Sequence, residues 1–390
     1  MKIIKTLGAV ALAVGAIAFT PVHAEDLKIG VVMPMSGPFA AHGKQLQHGI
    51  DLYMAEHGDE VAGRKVKVLI KDDTGIAPAV AKRQAQELLI KDKVNILAGF
   101  SLTPNAFSVA PLATEANVPM VVLNAATSSI TEKSPNIVRV SMTLPQDTAP
   151  MAQWAYANGI RSVYTLVSDY GPGHDAEKQF QKTFTELGGK IIGEVRTPVA
   201  TPDYAPYLQR IKDAKPDAVF LFVPNGEQGV ALAKGFKERG LDQAGIKELA
   251  TGDVTDEDVL DAMGDAAIGM ITSFHYSAAH DSPENKAFTA AYAKAYPNDR
   301  PNFVAVAGYD GMHLIYEALK KTNGDSSAAA FMDAVKGMKW TSPRGPVEID
   351  PETRDIIQNV YIRKVEKVDG VLQNVEFDKI EAVKDPGKQG

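Results

Sequence analysis

The chain has 390 residues, 45% of them hydrophobic, and a formal net charge of -7 without Lys/Arg clusters; this supplies folded cores and excludes a nucleic-acid-binding role. It has no cysteine, which excludes disulfides, thiolate nucleophiles, Cys-bound metals and a lipid-modified cysteine.

At the N-terminus, Lys2 and Lys5 precede an apolar run from Leu7 to Phe19, followed by Pro21-Val22-His23-Ala24. The run is short for a spanning helix of about 20 residues, and Val22-x-Ala24 fits a small-residue cleavage pattern. The reading is a secretory signal peptide cut after Ala24, which leaves a periplasmic chain with no membrane anchor. Loss of Lys2 and Lys5 would take the net charge from -7 to -9. The remaining 366 residues exceed what one core usually serves, so two domains are expected.

Short β-branched runs then alternate with amphipathic windows, the pattern of βα units feeding a parallel sheet. Strands are predicted at Leu27–Met33, Val66–Lys71, Val94–Gly99 and Met120–Leu123, with helices at Lys44–His57, Ala77–Lys91 and Pro104–Glu115. A second series has strands at Val163–Ser168, Lys190–Arg196, Asp217–Val223 and Ile246–Ala250, with helices at Asp175–Leu187, Tyr204–Ala214 and Gly226–Arg239. Pro283–Tyr296, Phe303–Thr322 and Ser326–Lys336 read as three helices with almost no strand between, so they must return to cover the first sheet. The chain crosses again near Thr341–Gly345, and Val347–Ile349, Ile356–Val365 and Val371–Lys379 read as strands of the second lobe, with an Asp369-Gly370 turn. The fold class is α/β, two doubly wound parallel-sheet lobes. Residues 1–24 form the signal, 25–144 and 275–343 the first lobe, and 145–274 and 344–390 the second.

In doubly wound sheets, ligands sit beyond the carboxyl ends of the strands. The loops there are Pro34–Gly43, containing Ser36, Phe39 and His42; Phe100-Ser101-Leu102-Thr103-Pro104; Asn124–Ser129, containing Ala125, Ala126 and Thr127; and Asp169–Gly173, containing Tyr170. Thr103 is placed as a helix N-cap with Pro104 in the first turn, leaving N–H groups free for an anion. Hydroxyls of Ser101, Thr103 and Thr127 would complete a carboxylate site. His42 reads as a loop residue near a ligand, Tyr170 as a closing aromatic, and Phe39 and Phe100 as apolar walls.

No G-x-S-x-G, H-E-x-x-H or G-x-x-x-x-G-K-[ST] motif occurs, so no enzymatic activity is expected. His275-x4-His280 with Asp281 suits neither a helix face nor a strand face as a metal site. The cluster Asp253, Asp256, Glu257, Asp258 lacks a calcium loop's glycine and closing glutamate and is read as a helix cap. Neither metal nor cofactor is expected.

Several of these segments resemble the leucine/isoleucine/valine-binding protein family, the type I periplasmic solute receptors of branched-chain amino-acid ABC importers. The marks, in order, are Lys28-Ile29-Gly30-Val31, Met35-Ser36-Gly37-Pro38, Asp72-Asp73, Ala126-Thr127, Asp169-Tyr170-Gly171, Asp203-Tyr204 before Leu208-x-x-Ile211, and Gly264-Asp265-Ala266-Ala267-x-Gly269-Met270. The resemblance spans the chain after the signal. It implies lobes joined by a three-stranded hinge and carboxylate contacts at Ser101, Thr103, Ala125, Ala126 and Thr127. It also implies a first-loop contact at His42, a closing tyrosine at Tyr170 and a second-lobe contact at Pro224 or Asn225. The acid that pairs a ligand ammonium in amino-acid receptors falls on Gly252, beside Asp253. Either Asp253 takes over that pairing or the ligand has no amino group, as in receptors for aromatic or other hydrophobic carboxylates. The implied partners are a small carboxylate and an inner-membrane ABC permease with its ATPase, the receptor acting as a monomer. The alternative is a periplasmic sensor that presents the solute to a chemoreceptor or kinase.

Overall fold

A computed structural model describes residues 25–199 and 203–388; the stretch read as a signal peptide, 1–24, lies outside the described residues. Six strands form the first sheet: β1 (Leu27–Met33), β2 (Glu60–Val61), β3 (Arg64–Asp72), β4 (Ile96–Gly99), β5 (Met120–Val122) and β6 (Ile137–Arg139). Their spatial order is β2-β3-β1-β4-β5-β6, all parallel except β2. Strand β1, LKIGVVM, is almost wholly buried because both sheet faces are covered. Ile29, Val31 and Met33 enter one core cluster and Val32 the other, as period-two geometry requires.

The second sheet has nine strands: β7 (Ser162–Ser168), β8 (Lys190–Thr197), β9 (Ala218–Phe222), β10 (Lys247–Thr251), β11 (Ile271–Phe274), β12 (Lys339–Ser342), β13 (Gly345–Ile349), β14 (Ile356–Val368) and β15 (Val371–Val383). Strands β8-β7-β9-β10-β11 run parallel; β14 joins antiparallel to β11 and carries β13 and β15, and β12 pairs with β13.

Around the first sheet lie α1 (Ala40–His57), α2 (Pro78–Ile90) and α3 (Thr103–Glu115); α4 (Leu144–Ala157) leads to the second, beside which lie α5 (Gly171–Glu186), α6 (Ala205–Ala214), α7 (Glu227–Glu238) and the single turn α8 (Leu260–Met263). Helices α9 (Pro283–Ala295), α10 (Phe303–Lys321) and α11 (Ala328–Val335) return to the first lobe, as the run of helices predicted. The contact of α10 with α1 is glycine-built. A Cβ at Gly49 would stand 2.0 Å from the Ala305 carbonyl oxygen, and one at Gly308 would stand 2.4 Å from that of Leu46.

Three segments therefore connect the sheets: β6 to β7 through α4, β11 to α9, and α11 to β12. Helix α4, β6 and β11 were not predicted. Thr143 caps α4 by accepting from the Gln146 N–H at 3.3 Å, and Pro145 occupies the first turn, where proline fits.

Each sheet reverses its winding at one place. In the first sheet β3 and β4 flank β1; in the second β8 and β9 flank β7. The loops after β1, β4, β7 and β9 converge on these switch points, where doubly wound sheets place ligands.

Candidate functional site

The turn out of β4 sets the first-lobe side of the site. A Cβ at Gly99 would meet the Val32 carbonyl oxygen at 2.2 Å, and Phe100 follows with φ +63, a left-handed conformation costing a bulky residue about 1–3 kcal/mol. The turn is held because the Phe100 N–H donates to Val32 at 2.8 Å and its carbonyl accepts from the Ala125 N–H at 2.9 Å. Helix α3 then begins at Thr103, with Leu102 as N-cap and without a side-chain cap bond. The predicted N-cap at Thr103 is thus corrected by one residue. Freed from capping, the Thr103 hydroxyl pairs with Thr127 Oγ1 at 3.2 Å. Ser101 Oγ is buried with no partner.

The adjacent loop, 125–128, hangs on an arginine that the sequence did not reveal. Arg139, fully buried at the end of β6, donates from Nη1 to the carbonyls of Ala125 and Thr127, each at 2.8 Å, and from Nη2 to that of Ser128 at 3.2 Å. Its counter-charge is Asp355 at 2.7 Å, just before β14.

The second lobe contributes the start of α5. Helix α5 begins at Gly171 with Tyr170 as N-cap, four residues earlier than predicted, since Pro172 suits a first turn. A Cβ at Gly171 would lie 2.8 Å from Thr127 Oγ1, so the two lobes touch here. The N-termini of α3 and α5 both meet this place; first-turn N–H groups lack intrahelical partners, and the helix dipole there favours an anion by about 0.3–1 kcal/mol, up to about 2 when partly buried.

A cavity of about 330 Å³, part of it continuous with solvent, lies between the lobes. Of the predicted residues, His42, Ser101, Thr103, Ala126, Tyr170, Asn225 and Asp253 line it, with Pro224. Sequence reasoning missed Leu102, Asn124, Met142, Leu144, Pro172 and Phe222. Phe222 stacks on Tyr170 with centroids 6.1 Å apart, an aromatic wall foreshadowed only by its place at the end of β9.

Five predicted residues do not line the cavity. Thr127 lies directly behind Thr103. Ser36 is exposed and donates to Asp72 Oδ2 at 2.6 Å, pinning the loop after β1. Phe100 is wholly buried in the core beneath the turn. Ala125 has spent its N–H on Phe100 and its carbonyl on Arg139. Gly252 faces Phe274 and Arg363, whose atoms would stand 2.2 Å and 2.3 Å from a Cβ there.

His42 is corrected from loop to helix. Helix α1 begins at Ala40, so the imidazole is in its first turn, buried edge-on against Phe39 at 5.5 Å. Burial lowers its pKa against the opposing pull of Asp258. Neither ring nitrogen has a well-aligned partner, although Asn225 lies beside it. Asp253 Oδ2 is buried and unpartnered. Burial pushes its carboxyl up to about 6, opposed by the Thr251 hydroxyl, its own backbone N–H and Arg363. Burial, reinforced by Asp253, also raises the Tyr170 phenol.

The acidic turn after Asp253 does not cap a helix as expected; α8 starts later, without a side-chain cap. It bridges the lobes instead. Asp256 accepts from Asn225 Nδ2 at 2.9 Å and Asn302 Nδ2 at 2.7 Å, and Glu257 accepts from Arg300 Nη2 at 2.8 Å. His275 and His280 face separate carboxylates, Asp147 at 3.1 Å and Glu376 at 2.7 Å.

A profile described as periplasmic binding protein matches residues 26–370. Leu/Ile/Val-binding protein homolog 6 of Brucella melitensis is 47% identical over 385 residues, covering 98% of this chain and 99% of its own. The solute binding protein of an ABC transporter from Rhodopseudomonas palustris BisB5, solved in complex with 3,4-dihydroxy benzoic acid, is 57% identical with a TM-score of 0.90, over 93% of this chain and 99% of that one. Another from R. palustris, solved with 4-hydroxybenzoate, is 48% identical with the same coverage and TM-score. A leucine binding protein from Thermotoga maritima, 24% identical over 91% of this chain and 99% of that one, shares the fold with a TM-score of 0.80.

Proposed function

The chain belongs to the periplasmic binding protein family, and from that premise we propose that it is the ligand-capturing subunit of an ABC importer whose solute is a small aromatic carboxylate. The observation that carries this reading is the cavity between the lobes. From the first lobe it offers the unpartnered Ser101 hydroxyl, Thr103 and the N-terminus of α3; from the second come the N-terminus of α5 and the aromatic wall of Tyr170 and Phe222. Converging charge-assisted hydrogen bonds of about 1.5–3 kcal/mol each hold a carboxylate without an arginine in contact with it. The aromatic pair gives a flat ring its apolar contact. The benzoate-type ligands of the R. palustris relatives support the same class.

In this reading the segments 25–144 and 275–343 close against 145–274 and 344–390 around the ligand, and the closed form is what an inner-membrane permease with its ATPase receives. The protein works as a monomer, performs no chemistry on its solute and carries no resident cofactor. Export through residues 1–24, cut after Ala24, delivers it to the periplasm; among the described residues no helix is long and apolar enough to cross a membrane.

The test is a thermal-shift panel of the purified protein with benzoate, 4-hydroxybenzoate and leucine, paired with native mass spectrometry of the secreted form. A ligand at 100 times its dissociation constant adds about 2.7 kcal/mol of stability. The aromatic acids are expected to raise the melting temperature and leucine to leave it unmoved. A shift with leucine alone defeats the reading.

A further inference from the structure

We infer that Asp175 and Asp385, two carboxylates of the second lobe, clasp Ser128 of the first lobe outside the cavity and act as positioning residues that hold the lobes together around a captured ligand. This rests on the reading above of a receptor that closes on its solute, and deepens it.

Ser128 ends the loop that Arg139 holds; it is 7% exposed and does not line the cavity. Each of its polar groups is taken. Its carbonyl accepts from Arg139 Nη2 within the first lobe. Its N–H donates to Asp175 Oδ2 on α5, and its hydroxyl to Asp385 Oδ1 just past β15, each at 3.0 Å. Thr127, one residue earlier, pairs with Thr103 at the cavity wall and lies against Gly171 at the start of α5. A grip on Ser128 is therefore a grip on the loop behind the carboxylate site.

The second carboxylate is delivered by a strap. Residues 384–388 leave β15 at Val383, whose carbonyl accepts from Gln146 Nε2 of α4 at 2.7 Å, and cross to the first lobe. Asp385 Oδ1 also accepts the Gly387 N–H at 2.8 Å, which folds the strap into a turn. A Cβ at Gly387 would stand 2.3 Å from Ser128 Oγ, so the absent side chain is what lets the strap come this close. Lys388 then reaches Thr131 Oγ1 and Asp355 Oδ2, the same carboxylate that pairs with Arg139. Hydrogen bonds to carboxylates are of the strong, charge-assisted class and are lost beyond about 3.5 Å, so a parting of the lobes by about 1 Å breaks both. Bonds made on closing slow the ligand's departure and leave its arrival unchanged.

Stopped-flow kinetics of the purified protein with 4-hydroxybenzoate test this. Asp175→Ala and Asp385→Ala should each release the ligand at least fivefold faster, with association within about threefold of wild type. Ser128→Ala should match Asp385→Ala, and the two combined should be within about twofold of either, since both remove one bond. Ser128→Ala and Asp175→Ala should multiply, because alanine keeps the N–H that Asp175 accepts. Should Asp385→Ala not fold, Ser128→Ala with and without Asp175→Ala decides. Release within twofold of wild type in the single variants overturns the inference and leaves the aromatic-carboxylate reading intact. If wild type binds neither 4-hydroxybenzoate nor benzoate, that reading falls and the lobe spacing decides the clasp. The chain has no cysteine, so spin labels at Ala41→Cys and Glu227→Cys, beside His42 and Asn225 on facing lobes, report that spacing without ligand. Both aspartate variants are expected to lose population from the short distances; distributions identical to wild type overturn the inference.

Discussion

Replacing Ser101 with alanine is expected to move stability and affinity in opposite directions. Ser101 is 2% exposed and its hydroxyl has no hydrogen-bond partner among the described residues. An unpaired buried polar group costs about 1–3 kcal/mol, and alanine removes the group with little loss of volume. Ligand-free Ser101→Ala is therefore expected to gain roughly 1 kcal/mol of unfolding free energy, the low end because one atom's packing is lost. In the proposed complex the same hydroxyl would donate to a carboxylate, a bond of about 1.5–3 kcal/mol. Its removal should weaken 4-hydroxybenzoate binding roughly 10- to 150-fold. Urea denaturation of the ligand-free protein gives the first quantity and calorimetric titration the second. An affinity within twofold of wild type would show that Ser101 does not touch the ligand. A parallel fall in stability and affinity would show that it supports the fold instead.

Asp253 adds a pH signature. Its folded pKa, about 6, lies above the reference value of 3.8, so the ionised group opposes folding at neutral pH by about 3 kcal/mol, and that opposition fades as pH falls through 6 toward 4. Ligand-free Asp253→Asn should unfold later than wild type at pH 8, with the gap closing by pH 4; a constant gap would contradict the assignment. Arg139→Met strands Asp355, leaving it Lys388 and the Thr131 hydroxyl, and releases three loop carbonyls, so a loss of about 3–5 kcal/mol in urea is expected together with loss of ligand binding. Gly308→Ala forces a Cβ against the Leu46 carbonyl and should cost about 1–3 kcal/mol without altering ligand selectivity, read by melting temperature and titration together.

The inner parallel strands were legible because both their faces are covered, so β9 reads as an unbroken apolar run and β1 as one interrupted only by Lys28. The return of the chain was legible from three helices lacking a sheet. Helix α4 was not, because Pro145 and Pro150 flank Gln146-Asp147-Thr148, which reads as an exposed breaker; in the fold all five are buried between the second sheet and its neighbours. At the site, hydroxyls beyond strand ends were found by topology. Arg139, Arg344 and Arg363 were missed because composition assigns arginine to solvent, and only the fold reveals that all three are buried. His42 was misplaced because Gly43 masks a helix start. A Cβ at Gly43 would lie 2.0 Å from the Pro34 carbonyl oxygen, so the glycine serves close packing there, not a loop.

Gly252, just past the end of β10, and Arg363, in the middle of β14, crowd one space, and this constrains which side chains can change there by mutation. An acid at 252 with its neighbours in place is driven into the Arg363 guanidinium and the Phe274 ring; trimming Arg363 alone strips the Thr272 hydroxyl and the Tyr276 carbonyl of their donor. Either single step passes through a damaged protein. Placing an acidic side chain at 252 is thus a concerted move that must make room at both Phe274 and Arg363.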